Sequence, residues 1–396
     1  MRPAALIWAF SALIAASLAD DTPQPLVIPA SQYFEGNDGP WSTFDIRAGT
    51  PEQYMRVLVS TASPETMVVD VQSGCSTAVF GATVPADCAV SRGKLFDMKS
   101  SSTWNDVGLY YINQDGVGLE GNLGYTQKAE FALEDLAIGL QGPSLSNQTV
   151  AVIATAEPFY LGIFGLNNQP VNFSTLGNYS APSFITTLRD QNQIPSLSWS
   201  YTAGAPYRLK QVYGQLIFSG YDTSRFTENK VSFTMADDLT RDLVVGLQSI
   251  SYSGSTSSVL LSDPINIYID STDPNLWLPD EACDAFEQAF GLALDPASGL
   301  YLVNDTHRQT LLDSDAQVTF RISDAKAGGD TVAIVLPYQA FDLTAESPLV
   351  ANSSHYFPLK RANSSAQYIL GRTFLQEAYV SSPEHIRAQG SGTDSL

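Results

Sequence analysis

The sequence predicts a mostly β protein of two homologous, barrel-like lobes facing each other across a central cleft. Three observations carry that prediction. Short alternating or apolar runs dominate the chain, helical periodicity is weak and brief, and two landmarks recur in register about half a chain apart. The clearest strand signals are Met55 to Val59, Met67 to Val71, Gly214 to Phe218, Ile265 to Ile269 and Val332 to Leu336, with turns rich in Gly, Asn, Asp and Pro between them. Helical spacing is confined to pieces such as Ser183 to Arg189 and Glu281 to Phe290.

The first landmark is an apolar strand, a small polar turn, a proline and a second apolar strand. Val57-Leu58-Val59 runs into Ser60-Thr61-Ala62-Ser63-Pro64-Glu65-Thr66-Met67-Val68, and Ile267-Tyr268-Ile269 runs into Asp270-Ser271-Thr272-Asp273-Pro274-Asn275-Leu276-Trp277-Leu278. The second is an apolar pair closed by glycine: Gly165 of Ile163-Phe164-Gly165 lies 105 residues after Ser60, and Gly371 of Ile369-Leu370-Gly371 lies 101 after Asp270. A period this long is not that of a solenoid or propeller. It predicts two lobes, 33–222 and 223–380, with the seam in the turn Tyr221-Asp222-Thr223-Ser224 and a flexible tail at 381–396.

Composition narrows the partners. Against 20 basic residues stand 41 acidic ones, and a net charge of −21 repels nucleic acid and anionic membrane surfaces. With 44% hydrophobic residues the chain has ample material for a core. Residues 1–19 carry Arg2, an apolar run from Ala4 to Ala16 and the small-x-small ending Ser17-Leu18-Ala19, the pattern of a cleaved secretory signal rather than of a membrane anchor. No later segment reaches the ~18 apolar residues of a membrane span. A secreted, extracellular, monomeric protein is expected, and six sequons, at Asn147, Asn172, Asn178, Asn304, Asn352 and Asn363, agree with that route.

Of three cysteines, Cys75 and Cys88 are near enough in sequence to close a small loop, while Cys283 sits in an apolar, helical segment with no mate in its half. Cys283 is read as a buried free thiol, with an intermolecular disulfide as runner-up. His307, His355 and His385 form no metal-ligand spacing with one another or with the cysteines, and neither a nucleophile elbow nor a phosphate-binding glycine loop is present. No metal and no cofactor are expected.

If the duplicated turns meet at a pseudo-two-fold axis, positions 60 and 270 lie side by side in the cleft. Two aspartates there would share one proton and supply both a general base for water and a general acid for a carbonyl. The chain offers Asp270 but Ser60. On these residues it resembles the pepsin-like A1 aspartic peptidases, whose halves each carry an Asp-Thr/Ser-Gly turn. The resemblance runs from about Tyr33 to Val380 and includes Gly49-Thr50-Pro51-Glu52-Gln53, Gly162-Ile163-Phe164-Gly165-Leu166, the Cys75/Cys88 loop followed by Ser100-Ser101-Ser102-Thr103-Trp104, and Leu370-Gly371-Arg372-Thr373-Phe374-Leu375.

The departures from that pattern bear on function. Ser60-Thr61-Ala62 replaces Asp and Gly of the first triplet, and Asp270-Ser271-Thr272 replaces Gly of the second. Thr61 and Ser271 keep the hydroxyls that, by the resemblance, brace the two loops. The family's flap tyrosine is matched by Asn113, or by Tyr111 if the register shifts by two. The stretch from Asp20 to Tyr33 is shorter than the family's propeptide, and Ser381-Ser382-Pro383 replaces its final apolar strand, so the inter-lobe sheet is expected to lack a strand or expose an edge. A serine hydroxyl cannot share a proton as a carboxylate does. The expectation is therefore a catalytically impaired homologue whose cleft binds a peptide, protein or glycan, the alternative being an acid endopeptidase working through Asp270 and a bound water.

Overall fold

A computed structural model describes residues 22–112, 123, 125–229, 231–254 and 257–382. The expected signal segment 1–19, Asn113, and the tail from 383 onward lie outside the described residues.

Among the described residues two eight-stranded sheets and a four-stranded sheet joining the two ends of the chain carry the architecture, beside a second four-stranded sheet and a two-stranded pair. The first large sheet is ordered Ala30–Glu35, Trp41–Ala48, Gln53–Ser60, Gly162–Gly165, Thr66–Val69, Ser144–Ile153, Lys128–Ile138, Asn105–Tyr111. The second runs Val332–Pro337, Gln317–Ser323, Val244–Ser253, Ile265–Ile269, Ile369–Leu370, Leu276–Leu278, Leu359–Arg361, with Ser257–Leu261 on Val244–Ser253.

The duplication read from sequence is a duplication of strand pairing. Gln53–Ser60 pairs in parallel with Gly162–Gly165, which pairs antiparallel with Thr66–Val69, which pairs in parallel with Ser144–Ile153. Ile265–Ile269 pairs in parallel with Ile369–Leu370, that strand pairs antiparallel with Leu276–Leu278, and the latter pairs in parallel with Leu359–Arg361. Each polar turn is thus threaded between two parallel pairings, which buries it and leaves no alternating polar face on the flanking strands. Val57, Val59, Met67, Ile163, Ile267, Ile269 and Leu276 are all buried.

The recurrent glycines have a packing reason. A Cβ on Gly165 would stand 2.3 Å from the Ser63 carbonyl oxygen, and one on Gly371 would stand 2.3 Å from that of Asn275 and 2.4 Å from that of Asp273. Both glycines let a strand press against the turn of its own lobe.

The four-stranded sheet is ordered Leu26–Ile28, Val212–Phe218, Trp199–Ala205, Val380–Ser382, joining strands from both ends of the chain. Of the two alternatives expected for this sheet, a missing strand or an open edge, the structure corrects the first and not the second. The closing strand is present: Val380, Ser381 and Ser382 pair with Tyr201, Ser200 and Trp199. It lies at the end of the sheet, where backbone pairing on one side suffices and apolar side chains are not required.

The helix expected over Glu281 to Phe290 spans Asp280–Phe290, burying Ala282, Cys283, Phe286 and Phe290 on one face and ending at Gly291 in the left-handed region (φ 64°). Cys283 is free and buried, and burial pushes its thiol up to about 12. The helix Phe184–Asp190 is capped by the Ser183 hydroxyl, which accepts the Thr186 N–H. A third helix, Asp305–Asp313, was not expected; it buries only Leu311 and is fixed by its cap, the Asn304 side chain accepting the His307 N–H at 3.0 Å. Cys75 and Cys88 form a disulfide with Cα atoms 5.9 Å apart.

Candidate functional site

The two polar turns meet between the large sheets and are braced reciprocally. The Ser271 hydroxyl accepts the Thr61 N–H at 2.9 Å and donates to the Val59 carbonyl at 2.7 Å. In return the Thr61 hydroxyl accepts the Ser271 N–H at 3.0 Å and donates to the Ile269 carbonyl at 3.4 Å. These four bonds satisfy backbone groups that neither sheet reaches, and they fix the turns relative to each other.

Ser60 and Asp270 are both fully buried. The Ser60 hydroxyl, however, meets Thr272: the two hydroxyl oxygens are 2.5 Å apart. Ser60 Oγ also accepts the N–H groups of Ser63 at 2.9 Å and Ala62 at 3.3 Å. No hydrogen bond joins Ser60 to Asp270 among the described residues. A threonine where the family has glycine places a hydroxyl between the loops and takes up the serine's contact.

Asp270 keeps one bond from its own loop, with Oδ1 accepting the Thr272 N–H at 2.8 Å. Oδ2 is buried and has no hydrogen-bond partner among the described residues. Burial pushes the carboxyl up to about 6 and the Asp273 charge adds to the rise, while hydrogen bonds from Thr272 and the Arg372 charge oppose it. Asp270 is thus a neutral acid in moderately acidic water and, above that, a buried anion only partly compensated by Thr272 and Arg372.

Asp273, three residues on in the same turn, is also buried. Its Oδ1 accepts from the Asn275 N–H at 2.6 Å and the Asn275 side-chain amide at 2.9 Å, and its Oδ2 accepts from the Tyr125 hydroxyl at 3.0 Å. Burial, followed by the charges of Asp273 and Asp270, raises the Tyr125 phenol well above its usual range. In the first turn the counterpart of Asn275 is Glu65, almost fully buried, whose carboxyl burial pushes up to about 8. It is an interior acid held in its neutral form.

Beneath the second turn lies Arg372. It donates to the Ser271 carbonyl at 3.0 Å, the Thr272 carbonyl at 2.7 Å and Asp38 Oδ2 at 2.7 Å, and its guanidinium sits 5.0 Å from the centre of the Trp41 ring. Asp38 Oδ1 accepts the Trp41 indole N–H at 2.7 Å, and the Asp38 carbonyl accepts the Tyr356 hydroxyl at 2.6 Å. A turn of the first sheet's hairpin thereby grips the second catalytic-type loop.

Of the residues singled out from sequence, Ser60, Thr61, Asp270 and Ser271 converge at this site. Tyr111 does not: half of its surface is exposed and the Lys128 ammonium lies 4.7 Å from its ring centre. The tyrosine that enters the cleft is Tyr125, on the return side of the same hairpin. Sequence reasoning passed over Tyr125, Asp273, Arg372 and Glu65. The two acids were detectable, since each is a charge inside a segment that the duplication marks for burial. The six sequon asparagines are all exposed. No cluster of metal-ligand type occurs among the described residues, and no helix among them is long and apolar enough to cross a membrane.

A family model described as eukaryotic aspartyl protease matches residues 43–383. The chain is 26% identical over 356 residues to "Probable aspartic-type endopeptidase OPSB" of Arthroderma benhamiae, a match covering 85% of this chain and 65% of that protein. It is 26% identical over 340 residues to "Secreted aspartic protease 6" of Candida albicans, covering 85% and 72%. The chain therefore spans just under two thirds of the first relative. The crystal structure of an aspartic proteinase from Irpex lacteus shares the fold, with a TM-score of 0.55 at 16% identity over 90% of this chain and 94% of that one. The bilobal pepsin-like fold is thus common to both, and because the family match runs from the first large sheet through the second, the chain belongs to the eukaryotic aspartyl protease family.

Proposed function

We propose that this protein is a secreted, glycosylated pepsin-like homologue that binds peptide in the cleft between its lobes without hydrolysing it. The observation that carries the reading is the 2.5 Å contact between the hydroxyls of Ser60 and Thr272, which fills the position where a second carboxyl would face Asp270. Hydrolysis by a carboxyl pair needs one member ionised to take a proton from water while the other donates to the carbonyl. A hydroxyl pair leaves Asp270 to do both. The name of the Candida albicans relative, "Secreted aspartic protease 6", the sequence signal over 1–19 and the exposure of all six sequon asparagines support a secretory route. The lobe boundary is proposed within Tyr221–Ser224.

A second reading is favoured by one feature. Asp270, raised to about 6, remains a proton donor through the acid range, so an endopeptidase using Asp270 with a bound water is chemically coherent. The two readings part in one experiment: incubation of the purified protein with a denatured protein between about pH 3 and 5, where a carboxyl pair is half protonated. The proposal expects no cleavage. Cleavage that is lost in Asp270→Asn would sink it and establish the second reading.

A further inference from the structure

The second large sheet forms one wall of a cavity of about 470 Å³. That wall is the strand Ile265–Ile269, and the turn around Asp238 and Arg241, the loop at Lys326 and the segment 365–368 close the other sides. At ~3.3 Å per residue along the strand, the cavity begins ~7 Å from Asp270, at Tyr268, and reaches ~16 Å from it, at Ile265. Two of the three charged residues that line it, Arg241 and Lys326, are cations, and the third is Asp238. The balance is the reverse of the chain's own 41 acidic and 20 basic residues.

Both cations are carried on anchored backbone. The Arg241 guanidinium lies 5.3 Å from the centre of the Tyr268 ring and donates to the Ala366 carbonyl, and the Arg241 backbone N–H donates to the Asp238 carbonyl at 3.0 Å. The loop that carries Lys326 is pressed onto the strand Val244–Ser253. A Cβ on Gly246 would stand 2.2 Å from the Ala325 carbonyl oxygen, and the Gln248 side-chain amide donates to the carbonyls of Ala325 at 3.2 Å and Gly328 at 2.6 Å. Lys326 is exposed and makes no ion pair among the described residues. Asp238 is engaged within its own turn, where Oδ1 accepts the Thr240 N–H at 3.0 Å and the Thr240 hydroxyl at 2.7 Å. Ile265, Tyr268 and Tyr368 add apolar surface to the lining.

We propose that this cavity binds a carboxylate carried on an apolar body, with Arg241 and Lys326 recognising the charge and Ile265, Tyr268 and Tyr368 receiving the body. A guanidinium held in one orientation matches the planar carboxylate, and the volume is that of a small-molecule site. A free aryl acid and the C-terminal end of a peptide share this chemistry. The inference holds whether or not Asp270 hydrolyses peptide, so a cleavage assay and the binding test below fail separately.

Isothermal titration at about pH 6.5, where an ordinary carboxylic acid is ionised, compares 3-phenylpropionate, a free acid, with acetyl-alanyl-phenylalanine, a peptide end. At least one should saturate a single site below about 10 mM, and the tighter of the two identifies the source. The amide of that probe, which lacks the charge, and acetate, which lacks the body, should each bind at least about tenfold more weakly. Lys326→Glu should cost about tenfold. Asp238→Asn keeps the oxygen that accepts from Thr240 and removes the opposing charge, so it should bind about threefold more tightly, a gain that misfolding cannot produce. Failure of both probes to saturate, an amide that binds as well as its acid, or parent-like affinity in both variants would overturn the proposal.

Discussion

On the proposed non-hydrolysing reading, if Thr272 matters as much as Ser60, introducing the aspartate alone should not produce hydrolysis. Ser60 Oγ already lies 2.5 Å from Thr272 Oγ1. Ser60→Asp carries an oxygen one bond of ~1.2 Å further out, into the space the threonine side chain occupies. The introduced carboxyl must either rotate away from Asp270 or push the second turn, which the four Thr61/Ser271 bonds hold in place. Removing the obstruction with Thr272→Gly leaves the backbone N–H that Asp270 Oδ1 accepts, and it allows two carboxyls to share one proton. A general acid/base partner contributes ~10² to 10⁴ in rate. Ser60→Asp is therefore expected to stay within about tenfold of the parent, and Ser60→Asp/Thr272→Gly to exceed it by ~10² or more. The assay is release of acid-soluble peptides from denatured protein at pH 4, with circular dichroism to confirm folding. A single variant as active as the double, or a folded double variant with no gain, would refute the reasoning.

The buried acids give the protein an acid-favouring stability. Glu65 has its carboxyl raised from 4.5 to about 8, so between those values the native state holds a proton that the unfolded chain has released. Its contribution is complete below about pH 4.5 and is lost as pH rises through 8, and Asp270 acts in the same sense between 3.8 and about 6. Glu65→Gln should therefore gain on the parent by a few kcal/mol in urea unfolding at pH 8 relative to pH 4, and an equal difference at both pH values would count against the assignment. Arg372→Leu strands Asp38 and the carbonyls of Ser271 and Thr272 together; a loss of ~3 to 5 kcal/mol is expected. Coupling near zero in a double-mutant cycle with Asp38→Asn would show that the two do not act through each other. Cys283, buried with its thiol raised to about 12, should resist a thiol reagent at pH 8 in the native protein and react fully in guanidinium, and rapid native reaction would contradict its placement.

Both duplicated turns and both closing glycines were legible in the sequence because the forces that fix them are local. Period-two or continuous apolar runs mark strands, and a glycine is needed wherever a backbone presses on a turn, as at Gly165 and Gly371. Cys75 and Cys88 were legible for the same reason, their separation being 13 residues. The weakly amphipathic helix Asp305–Asp313 escaped notice because only one of its side chains is buried and its cap, rather than its periodicity, defines it. Tyr125 was passed over for another reason: it lies before the strand Lys128–Ile138, outside any alternating run, and its partner Asp273 is 148 residues away.

By itself the sequence determined that two similar β lobes would form, that serine stands where the first aspartate would be, and that 41 acidic residues stand against 20 basic ones. Tertiary structure alone decided what the serine touches. The Ser60–Thr272, Tyr125–Asp273 and Asp38–Arg372 contacts join residues 212, 148 and 334 positions apart. Hydrogen bonds of that kind hold only within a few tenths of an ångström of their best distance. Such distances are set by how two packed sheets settle against each other, and no spacing along a chain encodes them.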